Sequence, residues 1–172
     1  MSPTKLSYDE LKEEFSQQLQ KAQHGVLATS DGDYVTAREM MLLSDGEKIW
    51  CFTGNNTRKY KQMEMNKNVA LSINNLQIEG TVALKGHPLD EENSGFIRMF
   101  KERHPEVYKF WGPIFEDPNS INAKVLEITP KKITAYKNLV LNDIHLAILN
   151  VVTKIATKVS LEEMPNTDYS QY

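Results

Sequence analysis

Residues 52–66 read FTGNNTRKYKQMEMN, and they place Arg58 and Lys59 in the first turn of a helix-like segment. A helix start already carries partial positive charge, and acidic residues are its usual companions. Two cations there have two readings. They begin a solvated basic face, which Lys61 and Lys67 continue, or they hold a phosphate against the helix start. The surrounding residues favour the second. Thr53, Asn55, Asn56 and Thr57 cluster at the loop, and their side chains and free backbone amides can all donate to an oxyanion. A third cation lies upstream in YVTAREMML. Strict alternation puts Thr36, Arg38 and Met40 on one strand face and Val35, Ala37 and Glu39 on the other. A mid-strand arginine is either solvated or a rigid fork for an anion.

Other chemistry finds less support. Cys51 is the only cysteine. Its neighbours Trp50 and Phe52 make it a buried structural thiol, with no triad beside it. His24 fits a strand-start histidine better than a ligand-facing donor. His87, His104 and His145 lack metal spacing. No Walker loop or dinucleotide-binding glycine fingerprint is present. The net charge of −3 and the lack of a basic tract argue against nucleic acid or an anionic membrane as the main partner. The opening MSPTKLSYDELKEEF lacks a signal peptide's apolar core, and no run approaches transmembrane length. The expectation is a soluble cytoplasmic protein.

The elements that must position these residues follow from the periodicity. Ser7 and Glu10 resemble a capping box ahead of Leu11, Phe15 and Leu19, which predicts a helix over 8–21. Strands are predicted at 25–29, 34–43 and 48–53, joined by tight turns at 30–33 and 44–47. A helix from Asn56 or Thr57 to about 66 follows, then strands at 69–73 and 77–86. Gly80 inside the last of these suggests a bulge or a close approach. Residues 90–119 read as short helices divided by Pro105, Pro113 and Pro118. Two strands, 123–128 and 132–136, flank Thr129-Pro130. A final helix is predicted from about Asp143. At 172 residues this is one domain, with a core over about 15–138 and a C-terminal extension over 139–172. Six or seven antiparallel strands with intervening helices imply a closed or nearly closed barrel, since closure removes exposed edges.

The order and spacing of GVLATSDGDYVTAREMMLLSDGEKIWCFT, NTRKYKQMEMNKNVALSI and IEGTVALKG resemble the pyridoxamine 5'-phosphate oxidase-like family of flavin-binding split barrels. The resemblance covers about 15–136 and is closest to general-stress-protein-like and uncharacterised branches. It implies a mainly β fold with peripheral helices, a six-stranded antiparallel split β-barrel. It also implies a homodimer with two FMN molecules at the interface. Arg38 matches the strand-two arginine near the FMN phosphate and ribityl chain, and Arg58 and Lys59 match a phosphate-binding pair. Phe52 and Thr53 match the strand end that lines the flavin. Met40 and Met41 match a segment whose backbone runs beside the ring, and Gln77 a polar residue lent by the neighbouring subunit. The C-terminal sequence does not match the oxidases' substrate-binding arginine and histidine segment, so vitamin B6 oxidation is not implied. The expected function is FMN-dependent oxidoreduction of a small molecule, with NAD(P)H as a candidate donor. A non-catalytic flavin or haem carrier or stress protein is the alternative.

Overall fold

The capping box forms as its spacing predicts. Helix α1 (Tyr8–Lys21) begins where the Ser7 hydroxyl accepts from the Glu10 amide at 3.3 Å, and its apolar stripe buries Leu11, Phe15 and Leu19. In the computed structural model, which describes residues 4–120, 122–138, 143–168 and 170, this helix packs on a mixed, sheet-dominated fold. The strands are β1 (Thr4–Leu6), β2 (His24–Ser30), β3 (Val35–Met41), β4 (Leu43–Ser44), β5 (Ile49–Gly54), β6 (Asn68–Ile73), β7 (Leu76–Leu84), β8 (Ala123–Lys137), β9 (His145–Asn150) and β10 (Ile155–Ser160). Helix α2 (Arg58–Met65) joins β5 to β6, and α3 (Ser94–Arg103) and α4 (Pro105–Phe115) join β7 to β8.

The closed six-stranded barrel is not what forms. Ten strands make one open sheet in the order β1-β10-β9-β8-β7-β6-β2-β3, with β4 and β5 branching from β8. Among the described residues β3 pairs with β2 alone and β1 with β10 alone, so no ladder closes the ring. Two local readings fed the wrong count. The expected C-terminal helix is a hairpin, β9–β10, in register from Ile155↔Asn150 to Ser160↔His145. Its first strand, HLAILN, is buried on both faces. A strand buried on both faces shows no alternation, and periodicity cannot separate it from a buried helix. The two strands expected around Pro130 are the single long strand β8. Its outer partner changes there, from β5 along residues 123–128 to β9 along 132–137. Proline therefore sits where neither outer ladder needs its missing N–H.

Gly80 is the bulge its position suggested. The β7–β8 register shifts between Glu79 and Gly80, and a Cβ on Gly80 would meet the Thr129 carbonyl oxygen at 2.6 Å. The larger core lies between the sheet and helices α1 and α2, around Phe15, Leu27, Met63, Leu71, Ile78 and Ile128. A second core lies under α3 and α4, where Phe96, Phe100 and Phe115 pack with Leu43 and Val125. Phe100 and Phe115 are fully buried, and truncating either to Ala costs about 3–5 kcal/mol. This second core fixes α4 over the end of β5.

Candidate functional site

At the end of β5 the chain turns through Gly54–Thr57 and enters α2. The turn closes with the Thr57 amide donating to the Gly54 carbonyl at 3.2 Å, and the loop is tied down by Asn55 N–H on Asn122 O at 2.8 Å. Thr57 is the N-cap, accepting from the Tyr60 amide. The first helical bond inside α2 runs from Lys61 N–H to Thr57 O, so the Arg58 and Lys59 amides precede the helical ladder. Lys59 Nζ folds back and donates to Thr53 Oγ1 at 3.1 Å, and Thr53 Oγ1 lies 3.2 Å from Thr57 Oγ1. Arg58 and Asn56 are exposed on the outer side of this turn.

Arg38 comes from β3 with the orientation its alternation predicts, on the half-buried face with Thr36 and Met40. One terminal nitrogen donates to Leu27 O at 2.9 Å and to Thr29 Oγ1 at 2.8 Å, and the other donates to Thr36 Oγ1. Its partners are all neutral. Among the described residues neither Arg38 nor Lys59 has a carboxylate partner. Burial holds the Arg38 guanidinium below its ordinary range. Lys59 is held below its own range first by burial and then by the charge of Arg38. Two half-buried cations that repel each other in this way favour a bound anion.

Beside Lys59 opens a groove of about 440 Å³. Thr53, Thr57 and Lys59 form its polar end, and Met40, Met41 and Phe52 run along its floor. Trp111, Ile114 and Phe115 of α4 make its wall. The Phe52 ring meets Trp111 edge-on at 5.1 Å and Phe115 at 4.8 Å, which stiffens that wall. A polar, cationic end joined to an apolar, aromatic body suits a planar molecule carrying an anionic tail. Cys51, also on β5, faces the core rather than the groove. It is 1 % exposed, and burial pushes its thiol up to about 12 despite the nearby Lys59 charge. The structural role expected for this thiol is what the fold gives it.

The structure thus gathers Met40, Met41, Phe52, Thr53, Thr57 and Lys59 around one groove, with Arg38 near its cationic end. Arg58 and Asn56 border the same turn but do not line the groove. Gln77 is elsewhere, in a separate pocket with Asn75, Thr134 and Tyr136 on the β7–β8–β9 face. Two features escaped sequence reasoning. The α4 wall lay in plain sight as the apolar run YKFWGPIF, but nothing in the run says which strand end it covers. Gln62 has no place in the sequence reading, yet it is 2 % exposed and bonded to both threonines that hold Arg38. Its only signal was its place one turn after Lys59.

The sequence profile of the pyridoxamine 5'-phosphate oxidase family matches residues 11–137. The chain belongs to the pyridoxamine 5'-phosphate oxidase family. Solved structures agree. A candidate pyridoxamine 5'-phosphate oxidase from Listeria innocua is 26 % identical with a TM-score of 0.55, covering 72 % of this chain and 95 % of its own. General Stress Protein 26 from Bacillus anthracis is 22 % identical with a TM-score of 0.57, covering 72 % and 92 %. A pyridoxamine 5'-phosphate oxidase-related, FMN-binding protein from Nostoc punctiforme is 13 % identical with a TM-score of 0.58, covering 89 % and 94 %. No curated protein sequence matches the chain.

Proposed function

We propose that this chain binds FMN in the groove beside α2 and serves as a flavin-dependent oxidoreductase for a small molecule. One observation carries the reading. Arg38 and Lys59 are half-buried, near enough for the charge of Arg38 to act on Lys59, and without a carboxylate partner among the described residues, and Lys59 lines a largely apolar groove. The donor set fits a phosphate monoester: two cations and the amides that open α2, with the Thr57 hydroxyl itself spent on the Gly54 carbonyl. Met40, Met41, Phe52 and Trp111 fit a planar ring system. Arg58, on the outer side of the turn, and Asn56 would add long-range attraction and a rim donor. Bound flavin would supply hydride acceptance and donation itself, leaving the protein to bind, orient and exclude water. Cys51 stays protonated and buried through this, and no histidine lines the groove.

The same lining suits a flavin carrier that does not turn over, since the groove's charged groups are only Glu39 and Lys59. A haem carrier is less well served, because the groove offers Met40 and Met41 but no histidine or cysteine as an axial ligand. We also infer a homodimer. The β3 edge has no partner strand among the described residues, and Val35 on it is 68 % exposed. Gln77 stands away from the groove of its own chain, which fits a contribution to a second copy's site.

Titration of flavin-stripped protein with FMN and riboflavin tests the cofactor. Saturable FMN binding, at least ~10-fold tighter than riboflavin, is expected from charge-assisted contacts of ~1.5–3 kcal/mol each. Equal affinity for the two would remove the phosphate site. Bleaching of bound FMN by NAD(P)H, followed by reoxidation with an acceptor, separates enzyme from carrier. Sedimentation at micromolar protein reads the dimer.

A further inference from the structure

Gln62 follows Lys59 by one helical turn but is buried beneath it. Its Oε1 accepts from Thr29 Oγ1 at 2.8 Å and from Thr36 Oγ1 at 2.7 Å, while its Nε2 donates to Tyr34 O at 2.9 Å. The Tyr34 carbonyl can only accept, so the amide is fixed with its nitrogen toward that turn. A flipped amide would set Oε1 against another oxygen. Each threonine has a single hydroxyl proton, and both protons are spent on Gln62. Only lone pairs remain on Thr29 and Thr36, and these lone pairs take the N–H groups of Arg38. Three of the guanidinium's five N–H donors are thereby engaged, to Leu27, Thr29 and Thr36. The other two are left for an external acceptor.

We propose that Gln62 is the positioning residue of the anion site: it sets both threonine hydroxyls as acceptors and so locks the Arg38 fork beside Lys59. A single helix then supplies one cation, Lys59, and the group that aims the other. This inference rests on the phosphate site proposed above. Networks of this kind act as a unit, so its members are coupled and not additive.

The test is a double-mutant cycle read by FMN and riboflavin titration. Gln62→Met keeps the volume and removes the acceptor. In the native background it should weaken FMN about 10-fold and leave riboflavin within about twofold. In an Arg38→Ala background the same change should alter FMN affinity by less than about twofold. A similar FMN loss in both backgrounds, or an equal loss of riboflavin, would overturn the proposal in favour of a merely structural glutamine. Thr29→Val with Thr36→Val repeats the cycle should Gln62→Met not fold. Nitrogen NMR of the Arg38 guanidinium keeps the two readings apart. Restricted rotation in the wild-type protein, released by either variant, supports the lock even if no FMN binds, whereas free rotation in the wild-type protein would sink it.

Discussion

Two sets of partly buried cations stand on this fold, and they are treated in opposite ways. Lys48 Nζ lies 2.7 Å from Glu127, whose other oxygen accepts from the Trp50 indole at 3.2 Å, and Lys132 lies 2.9 Å from Glu79. Arg38 and Lys59 have only carbonyl and hydroxyl acceptors. The first set is complete as it stands, because each charge is neutralised within the chain. The second is held in place by neutral groups that orient the cations without cancelling their charge. Glu39 lines the same groove as Lys59, yet neither cation forms an ion pair among the described residues, which leaves both charges able to meet an anion.

The comparison breaks most decisively by removing the unpaired set. Arg38→Ala with Lys59→Ala should weaken FMN by at least ~100-fold, roughly 2.7 kcal/mol. Unchanged FMN affinity in the folded variant would reduce both cations to surface charge. By contrast, Lys48→Ala should leave FMN affinity within about twofold, about 0.4 kcal/mol. An equal loss there would erase the distinction between the two sets.

Titration with pH sharpens it. Lys59 sits below its ordinary value of 10.5, through burial first and Arg38 second. A bound phosphate favours the charged amine and raises it again, so FMN binding takes up a proton over that window. FMN affinity should fall as pH rises through the free protein's Lys59 range, by up to ~10-fold per pH unit, while riboflavin affinity stays level. Stability of the flavin-free protein runs the other way. Between the folded and unfolded values of Lys59 the unfolded chain binds more protons, so rising pH adds stability there. FMN affinity that stays flat in the same window would detach Lys59 from the phosphate.

The smallest effect belongs to Cys51, which shares β5 with Thr53. Cys51→Ala should leave the rate of flavin reduction within about threefold, less than ~0.7 kcal/mol of barrier, in stopped-flow bleaching. A hundredfold loss in a folded variant that retains FMN would return the thiol to the chemistry.

The cationic end was legible because its signals are local. A threonine cap, two cations after it and one strand's alternation place Thr53, Thr57, Lys59 and Arg38 without knowledge of any distant contact. The helix α1, the hairpin turns and the Gly80 bulge were legible on the same ground. What the sequence hid depends on pairing between remote segments. Gln62 matters only because Thr29, Thr36 and Tyr34 arrive from another hairpin. The α4 wall matters only because α3 and α4 fold back onto β5. The open sheet was missed because β9 is buried on both faces, so its period says nothing of strand or helix, and because β8 exchanges partners at Pro130. Sheet closure is a property of pairings, and no single segment records it.

Strand β1 pairs with β10 and with no other described strand, with Thr4 opposite Lys158 and Leu6 opposite Ala156. The first described strand is thus partnered by the last. Contacts this far apart in sequence carry the largest loop-closure cost and slow folding most. Without β1 docked, β10 stands as a bare edge open to pairing with a neighbouring chain.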